Sequence, residues 1–203
     1  MHELTAAFVF LFAVIDPIGS VPVFIAVTKG FDEKEKQNIA FKSIFVSALI
    51  LLFFIVVGEL ILNAINISLP AFQIAGGIVI FLFALSMIFG ESKPESEMKS
   101  IKNTTETAIF PMAMPSIAGP GAMLAVVLLT KKSEYSIWEQ FQLCLILFGV
   151  LLIVLVFLLL ATKVHKIIRE AGASIISRVM GLILTALAVA KIIDGIKESF
   201  NLT

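Results

Sequence analysis

The feature that most constrains this chain is a succession of apolar runs, each about as long as a bilayer is thick. A helix needs roughly 20 apolar residues to span a bilayer core, and the sequence has six such runs, at about 4–28, 42–63, 69–90, 107–130, 139–162 and 175–197. Apolar residues make up 59% of the 203, and only 15% are charged, whereas soluble domains carry about 25% charged residues. We therefore predict an all-α polytopic membrane protein with six transmembrane helices, and disfavour a soluble or disordered chain.

Charge balance and cysteine count exclude further classes of protein. The 15 basic and 15 acidic residues cancel, so the basic surplus of a nucleic-acid-binding protein is missing. Cys144 is the single cysteine, so it forms neither an internal disulfide nor a thiolate metal cage. His2 and His165 have no partners at metal-ligand spacing, and phosphate-binding and hydrolase motifs are missing. We expect no nucleic acid partner, no metal, no organic cofactor and no enzymatic activity.

The distribution of Lys and Arg predicts the orientation, because cytoplasmic loops carry an excess of basic residues. With six spans, loops 1–2, 3–4 and 5–6 lie on one side and hold eleven of these residues, while the opposite side holds four. We predict that these three loops are cytoplasmic and that both termini lie outside, in the cell (inner) membrane. The N-terminus lacks a basic leader, so the first span is expected to be retained.

A weak internal repeat relates the two halves of the chain at an offset near 100 residues. The matches are Pro17 with Pro115, Pro22 with Pro120, Gly77 with Gly181, and Ala84 with Ala188. We predict one membrane domain over 1–203, built from a three-helix repeat (1–90), a cytoplasmic linker (91–106) and a second repeat (107–203). Three spans per unit invert the second repeat relative to the first, an architecture typical of secondary transporters.

Helices 1 and 4 are predicted to be broken near the middle of the membrane, because both contain clusters of proline and glycine there. Proline inside a helix removes a backbone hydrogen bond, and unpaired backbone groups are costly in lipid. The breaks should therefore line a cavity between the repeats. Asp16-Pro17 and Gly119-Pro120 have N-cap and first-turn composition, so each second half-helix is expected to aim its positive N-terminus at the midplane. The alternative is that the prolines only kink packed helices.

The candidate site combines the two breaks with one polar residue of helix 3. The predicted substrate-binding residues are Asp16, Pro17, Gly19, Ser20, Pro22, Gln73, Pro115, Ser116, Gly119, Pro120 and Gly121. Half-helix N-termini suit a carboxylate, and Asp16 or freed carbonyls suit an ammonium or a cation. Asp16 and Ser20 are the predicted coupling-ion residues, although a structural cap is an alternative role for Asp16. Gln73 is either a substrate contact or a tie that holds the broken helix.

Four motifs resemble the MarC family of six-span inner-membrane proteins: DPIGSVPVF, AGGIVIFLFAL, PMAMPSIAGPGAM and RVMGLILTALAV, in helices 1, 3, 4 and 6. The resemblance covers nearly the whole chain. Members similar to this chain are classed as transporters of small neutral amino acids, which implies a small zwitterionic substrate such as glycine or alanine. Serine is a third candidate, because a cavity lined by Ala, Gly and Pro is small. Without a nucleotide motif, coupling to H⁺ or Na⁺ is expected.

Two other functions stay open. One is a passive channel for small solutes, because broken helices also build pores, and the other is a non-transporting membrane scaffold. A membrane thiol–disulfide carrier is disfavoured, because Cys144 lies in helix 5 and neither break contains a cysteine. The expected partners are the substrate and the lipid bilayer. A homo-oligomer is compatible with a small carrier, although no motif requires one.

Overall fold

The computed structural model describes residues 2–89, 103–130 and 136–200, and these ranges form helices joined by short turns, without a β-strand. The all-α prediction is confirmed. The elements are α1 (His2–Ile15), α2 (Ser20–Val27), α3 (Glu33–Ala64), α4 (Leu69–Phe89), α5 (Thr104–Thr107), α6 (Pro120–Leu129), α7 (Ile137–Leu159) and α8 (Ala161–Ser199). A further helical segment, Ala108–Ile117, lies between α5 and α6 and contains two non-helical residues; we call it the irregular segment.

Five helical stretches are long and apolar enough to cross a membrane, and a bent pair provides a sixth if it counts as one span. The five are Leu4–Val27, Glu33–Ala64, Pro70–Phe89, Trp138–Leu159 and Ser174–Ser199. The bent pair joins Thr104–Ile117 to Pro120–Leu129 at an angle of 57°. Each stretch coincides with one of the six predicted apolar runs. Most of the predicted linker, 91–102, lies outside the described residues, as do Lys131 and Lys132.

Polar capping residues set where α3 begins and ends. The Asp32 carboxylate accepts a hydrogen bond from the Glu35 amide at 2.7 Å, and the Glu35 carboxylate accepts one from the Asp32 amide at 2.9 Å. This reciprocal pair is a capping box, which satisfies backbone donors that the first turn leaves without a partner. Beyond the end of α3, Asn66 has a φ of 55°, a conformation that asparagine tolerates. Residues 60–89 contain no charged side chain, and this stretch is thereby divided between α3 and α4.

The segment between the fifth and sixth spans is helical, which differs from the predicted loop. α7 ends at Leu159, and α8 begins at Ala161 and continues through the basic residues to Ser199. Nothing in this stretch stops a helix, because it contains no proline and only proline breaks a helix interior strongly. The two helices are therefore joined through the single residue Leu160.

The interrupted helices lie at the centre of the bundle. In the apolar window of Leu4–Val27, 56% of the residues are buried, against 22–33% in the other four stretches. The continuous helices surround this centre and expose large apolar side chains, such as Phe45 and Phe53 of α3. The irregular backbone of the first interruption is therefore enclosed by protein, whereas the two non-helical residues of the irregular segment, Phe110 and Met114, are each 40% exposed. Enclosure of this kind is a condition for irregular backbone at membrane depth.

Small residues allow α4 and α8 to pack closely and antiparallel. A Cβ added to Gly77 would lie 3.1 Å from the Ala188 carbonyl oxygen, and one added to Gly181 would lie 2.9 Å from the Ala84 carbonyl oxygen. Because residue numbers rise along α4 while those of their contacts in α8 fall, the two helices run in opposite directions. Glycine at both contact points lets the two helix backbones approach more closely than a residue with a side chain would allow. Such close approach at small residues is common in membrane helix pairs.

Candidate functional site at the two helix breaks

The first break is a turn closed by the Asp16 carboxylate. α1 ends at Ile15 and α2 begins at Ser20, and Asp16 has a φ of 50°, which aspartate adopts more readily than most residues. The Asp16 Oδ1 accepts a hydrogen bond from the Gly19 amide at 2.9 Å, and the Ser20 hydroxyl donates to the Asp16 carbonyl at 3.0 Å. The carboxylate thus makes the capping bond that the sequence predicts, but regular helix resumes at Ser20 and not at Pro17.

Gly19 is needed because the Asp16 carboxylate occupies the space beside it. A Cβ added to Gly19 would overlap the carboxylate oxygen Oδ2. Asp16 is only 4% exposed and Ser20 is fully buried. The first break therefore holds a carboxylate and a hydroxyl inside the protein, at the start of a half-helix.

The second break follows from prolines in the irregular segment. Phe110 and Met114 have extended backbones, with φ near −130° and ψ near +125°. Each precedes a proline, which disfavours the helical conformation in the residue before it. Helix resumes in α6, with Gly119 as N-cap and Pro120 as the first residue, as the sequence predicts. A Cβ on Gly119 would lie 2.6 Å from the Pro115 carbonyl oxygen, so this turn also requires glycine.

The two breaks contact each other directly. The Ser116 hydroxyl donates to the Ser20 hydroxyl at 3.4 Å, across 96 residues of sequence, and both side chains are buried. At the start of α6, a Cβ on Gly121 would lie 3.3 Å from Val14 Cγ1 at the end of α1. The structure therefore brings predicted residues from the two breaks to one buried place.

The remaining predicted residues are Pro17, Pro22 and Gln73. Pro17 is in the turn after Asp16, and Pro22 is in the first turn of α2, where a missing amide breaks no helical hydrogen bond. Gln73 is buried on α4, one turn before Gly76, where a Cβ would lie 3.5 Å from Leu128 near the end of α6. Gln73 thus lies toward the C-terminal end of α6 and away from the contact between the breaks.

A cavity that sequence reasoning did not anticipate lies at the C-terminal end of α2. It encloses about 250 Å³ between α2, the start of α3 and the junction of α7 with α8. Phe24 and Thr28 of α2 contribute to its wall, together with Lys29 and Lys36, and none of the predicted site residues lines it. The signal for it in the sequence is the four-residue spacing of Ser20, Phe24 and Thr28, which places all three on one face of α2.

Comparison with known proteins identifies relatives over almost the full length. A family model described as "MarC family integral membrane protein" matches residues 1–200. A UPF0056 membrane protein of Methanocaldococcus jannaschii is 38% identical over 194 residues, which are 94% of each chain. A UPF0056 membrane protein of Aquifex aeolicus is 32% identical over 196 residues, 95% of this chain and 91% of that one. No solved structure shows a significant match.

Proposed function

The chain belongs to the MarC family of integral membrane proteins, and from this premise we propose that it is a secondary transporter of small neutral amino acids. The observation that carries the proposal is the buried contact between two interrupted helices, Ser116 to Ser20 at 3.4 Å. Glycine and alanine are the proposed substrates, with serine as a third, and H⁺ or Na⁺ is the proposed coupling ion. The substrate class rests on the family resemblance of the sequence motifs.

We further propose that the bent pair crosses the membrane, which makes six spans. α3 lies beside it over most of its length: the Lys42 ammonium donates to the Thr105 hydroxyl at 2.8 Å, and a Cβ on Gly58 would lie 2.5 Å from Val127 Cγ2. The 16 residues from Lys42 to Gly58 rise about 24 Å in a helix, most of a hydrocarbon core about 30 Å thick. The bent pair therefore advances in the direction of α3 and does not return to its starting side.

The packing of α4 against α8 supports an inverted repeat. Four of the contacts between these helices form a symmetric set: Gly77 with Ala188, Gly77 with Ile192, Gly181 with Ala84, and Gly181 with Ile88. The offset of 104 residues from Gly77 to Gly181 also separates Ala84 from Ala188 and Ile88 from Ile192. Exchanging the two repeats maps this set of contacts onto itself, as a twofold axis requires. Because the helices are antiparallel, the proposed axis lies in the membrane plane.

The half-helices α2 and α6 end alike, which also supports the repeat. Thr28 follows α2 and Thr130 follows α6, and both threonines are buried. Each hydroxyl donates to the carbonyl four residues earlier, Phe24 or Val126, at 2.6 Å. In the proposed topology α2 points to the cytoplasm and α6 to the outside, with loops 1–2, 3–4 and 5–6 cytoplasmic and both termini outside.

The chemistry at the breaks suits a small zwitterion. The amides at the starts of α2 and α6 favour a carboxylate, because helix N-termini carry partial positive charge, and the Asp16 carboxylate favours an ammonium or a coupling cation. Asparagine or serine caps a helix about as well as aspartate, whereas a carboxylate at a helix centre costs about 2.5–3.5 kcal/mol on insertion scales. A cap alone therefore does not account for aspartate at position 16.

The proposal is tested by flux of labelled glycine and alanine into proteoliposomes, with and without imposed Na⁺ and H⁺ gradients. We expect saturable, gradient-driven flux that Asp16→Asn uncouples from the gradient, because asparagine keeps the capping oxygen and removes the charge. Glu59→Gln, which removes a carboxylate from the second span, is the matched control and should retain coupling. Non-saturable flux that ignores the gradients would favour a channel. Folded protein without any flux would overturn the proposal in favour of a scaffold.

A further inference from the structure

One face of α2 connects the contact between the breaks to the cavity at the far end of the helix. Ser20, Phe24 and Thr28 lie four residues apart and share this face. Ser20 contacts Ser116 at the breaks, whereas Phe24 and Thr28 line the cavity. The four residues from Ser20 to Phe24 rise about 6 Å, so the cavity wall begins about one turn from the buried hydroxyls.

Phe24 lies between the two places along this face of α2. It is 3% exposed and packs in the hydrophobic core, and it is the residue of this face between the hydroxyl of Ser20 and that of Thr28. A bulky apolar side chain at such a point prevents a hydrated solute from passing, as apolar constrictions do in channels. The Thr28 hydroxyl bonds to the Phe24 carbonyl at 2.6 Å, which keeps the helix regular at this level.

The cavity wall is suited to a small polar solute. Four of the residues that line it are polar or charged: Lys29, Glu33, Lys36 and Gln37. Lys36 pairs with Glu33 at 2.8 Å. A wall with cationic and anionic groups attracts both ends of a zwitterion, and it lies at the loop that carries the first cluster of basic residues.

We propose that this cavity is the cytoplasmic vestibule of the transport route and that Phe24 is the gate that closes it from the Ser20–Ser116 contact. The inference rests on the proposed function for its direction and its solute. The corresponding position on the opposite side is Val126, which is buried and lies one turn before Thr130 on α6. Val126 therefore supplies a matched control that acts on the other entrance.

The test measures labelling of single cysteines by a charged, membrane-impermeant thiol reagent, applied from either side of sealed membranes. Cys144→Ala removes the native cysteine. Gln37→Cys, at an exposed position of the cavity wall, is expected to react rapidly from the cytoplasmic side only. Ser20→Cys is expected to be protected, and adding Phe24→Ala should raise its labelling rate from that side on the order of tenfold or more, by populating an open state.

Three results would overturn the inference. They are labelling of Gln37→Cys only from the outside, equal labelling of Ser20→Cys with and without Phe24→Ala, and an equal rise in Ser20→Cys labelling from the cytoplasmic side when Val126→Ala replaces Phe24→Ala. Gln37→Cys tests the vestibule alone if the Ser20 variant fails to fold, as judged by gel filtration. The labelling needs no substrate, so a failure of glycine flux with the expected labelling pattern would refute the substrate and leave the gate standing.

Discussion

Replacing Gly181 with alanine should loosen the packing of α4 against α8 and destabilise the protein. The new Cβ would lie 2.9 Å from the Ala84 carbonyl oxygen and 3.0 Å from Ile88 Cγ1, whereas ordinary contact begins at 3.4 Å. The carbonyl belongs to the backbone and cannot rotate away, so the helices must separate by about 0.5 Å. Overpacking of this kind costs about 1–3 kcal/mol. At about 2–4 °C per kcal/mol for a chain of this size, the unfolding midpoint should fall by about 2–12 °C.

Two further variants control this experiment. A Cβ on Gly149 of α7 meets nothing within 4 Å, so Gly149→Ala should leave the midpoint unchanged or raise it, because alanine favours helix by about 0.5–1 kcal/mol. Gly77→Ala should destabilise as Gly181→Ala does. The double variant should lose less than the sum of the two, because the first substitution already separates the helices.

The lone cysteine supplies the assay. Cys144 of α7 is partly buried, so a fluorogenic thiol reagent reports its exposure as purified protein in detergent is heated. If Gly181→Ala and Gly149→Ala unfold at the same temperature, the close approach of α4 and α8 does not constrain this fold, and the reasoning from the glycine contacts is refuted.

Three other substitutions have defined outcomes in the same thermal assay or in flux. A Cβ at position 19 would overlap the Asp16 carboxylate, so Gly19→Ala should displace this carboxylate and abolish glycine flux in folded protein. Unchanged flux would contradict the role of the first break. Asp32→Ala should lower the free energy of unfolding by about 0.5–2 kcal/mol through loss of a helix cap, whereas Asp32→Asn should not. Lys42→Ala removes an exposed hydrogen bond to Thr105 and should change stability by less than about 0.5 kcal/mol; a larger loss would contradict the surface position.

The break in the first span shows how far local sequence rules reach. Pro17 and Gly19 predict an interruption, and Asp16 predicts a cap, because proline lacks an amide and a carboxylate accepts one from the following turn. The structure has both features. The start of α2 at Ser20 does not follow from these local rules. It depends on the positive φ of Asp16 and on how the turn packs among its neighbours.

The stretch between the fifth and sixth spans shows the limit of hydropathy. The charges from Lys163 to Arg178 predict a segment outside the membrane in the form of a loop. Charge does not end a helix, however, and α8 continues without interruption from Ala161 to Ser199. The polarity of these residues predicts a position outside the bilayer, and it leaves their backbone conformation undetermined.

The sequence by itself determined the number and position of the apolar segments, the helical class and the two breaks, because a bilayer acts on each segment separately through its length, polarity and backbone hydrogen bonds. Only the tertiary structure decided that Ser20 meets Ser116, that Phe24 lies between this contact and a cavity, and that Gly77 and Gly181 bring α4 against α8. In lipid, close packing of small side chains and buried polar contacts determine which helices associate. The order of apolar residues along one segment does not reveal which helix it packs against.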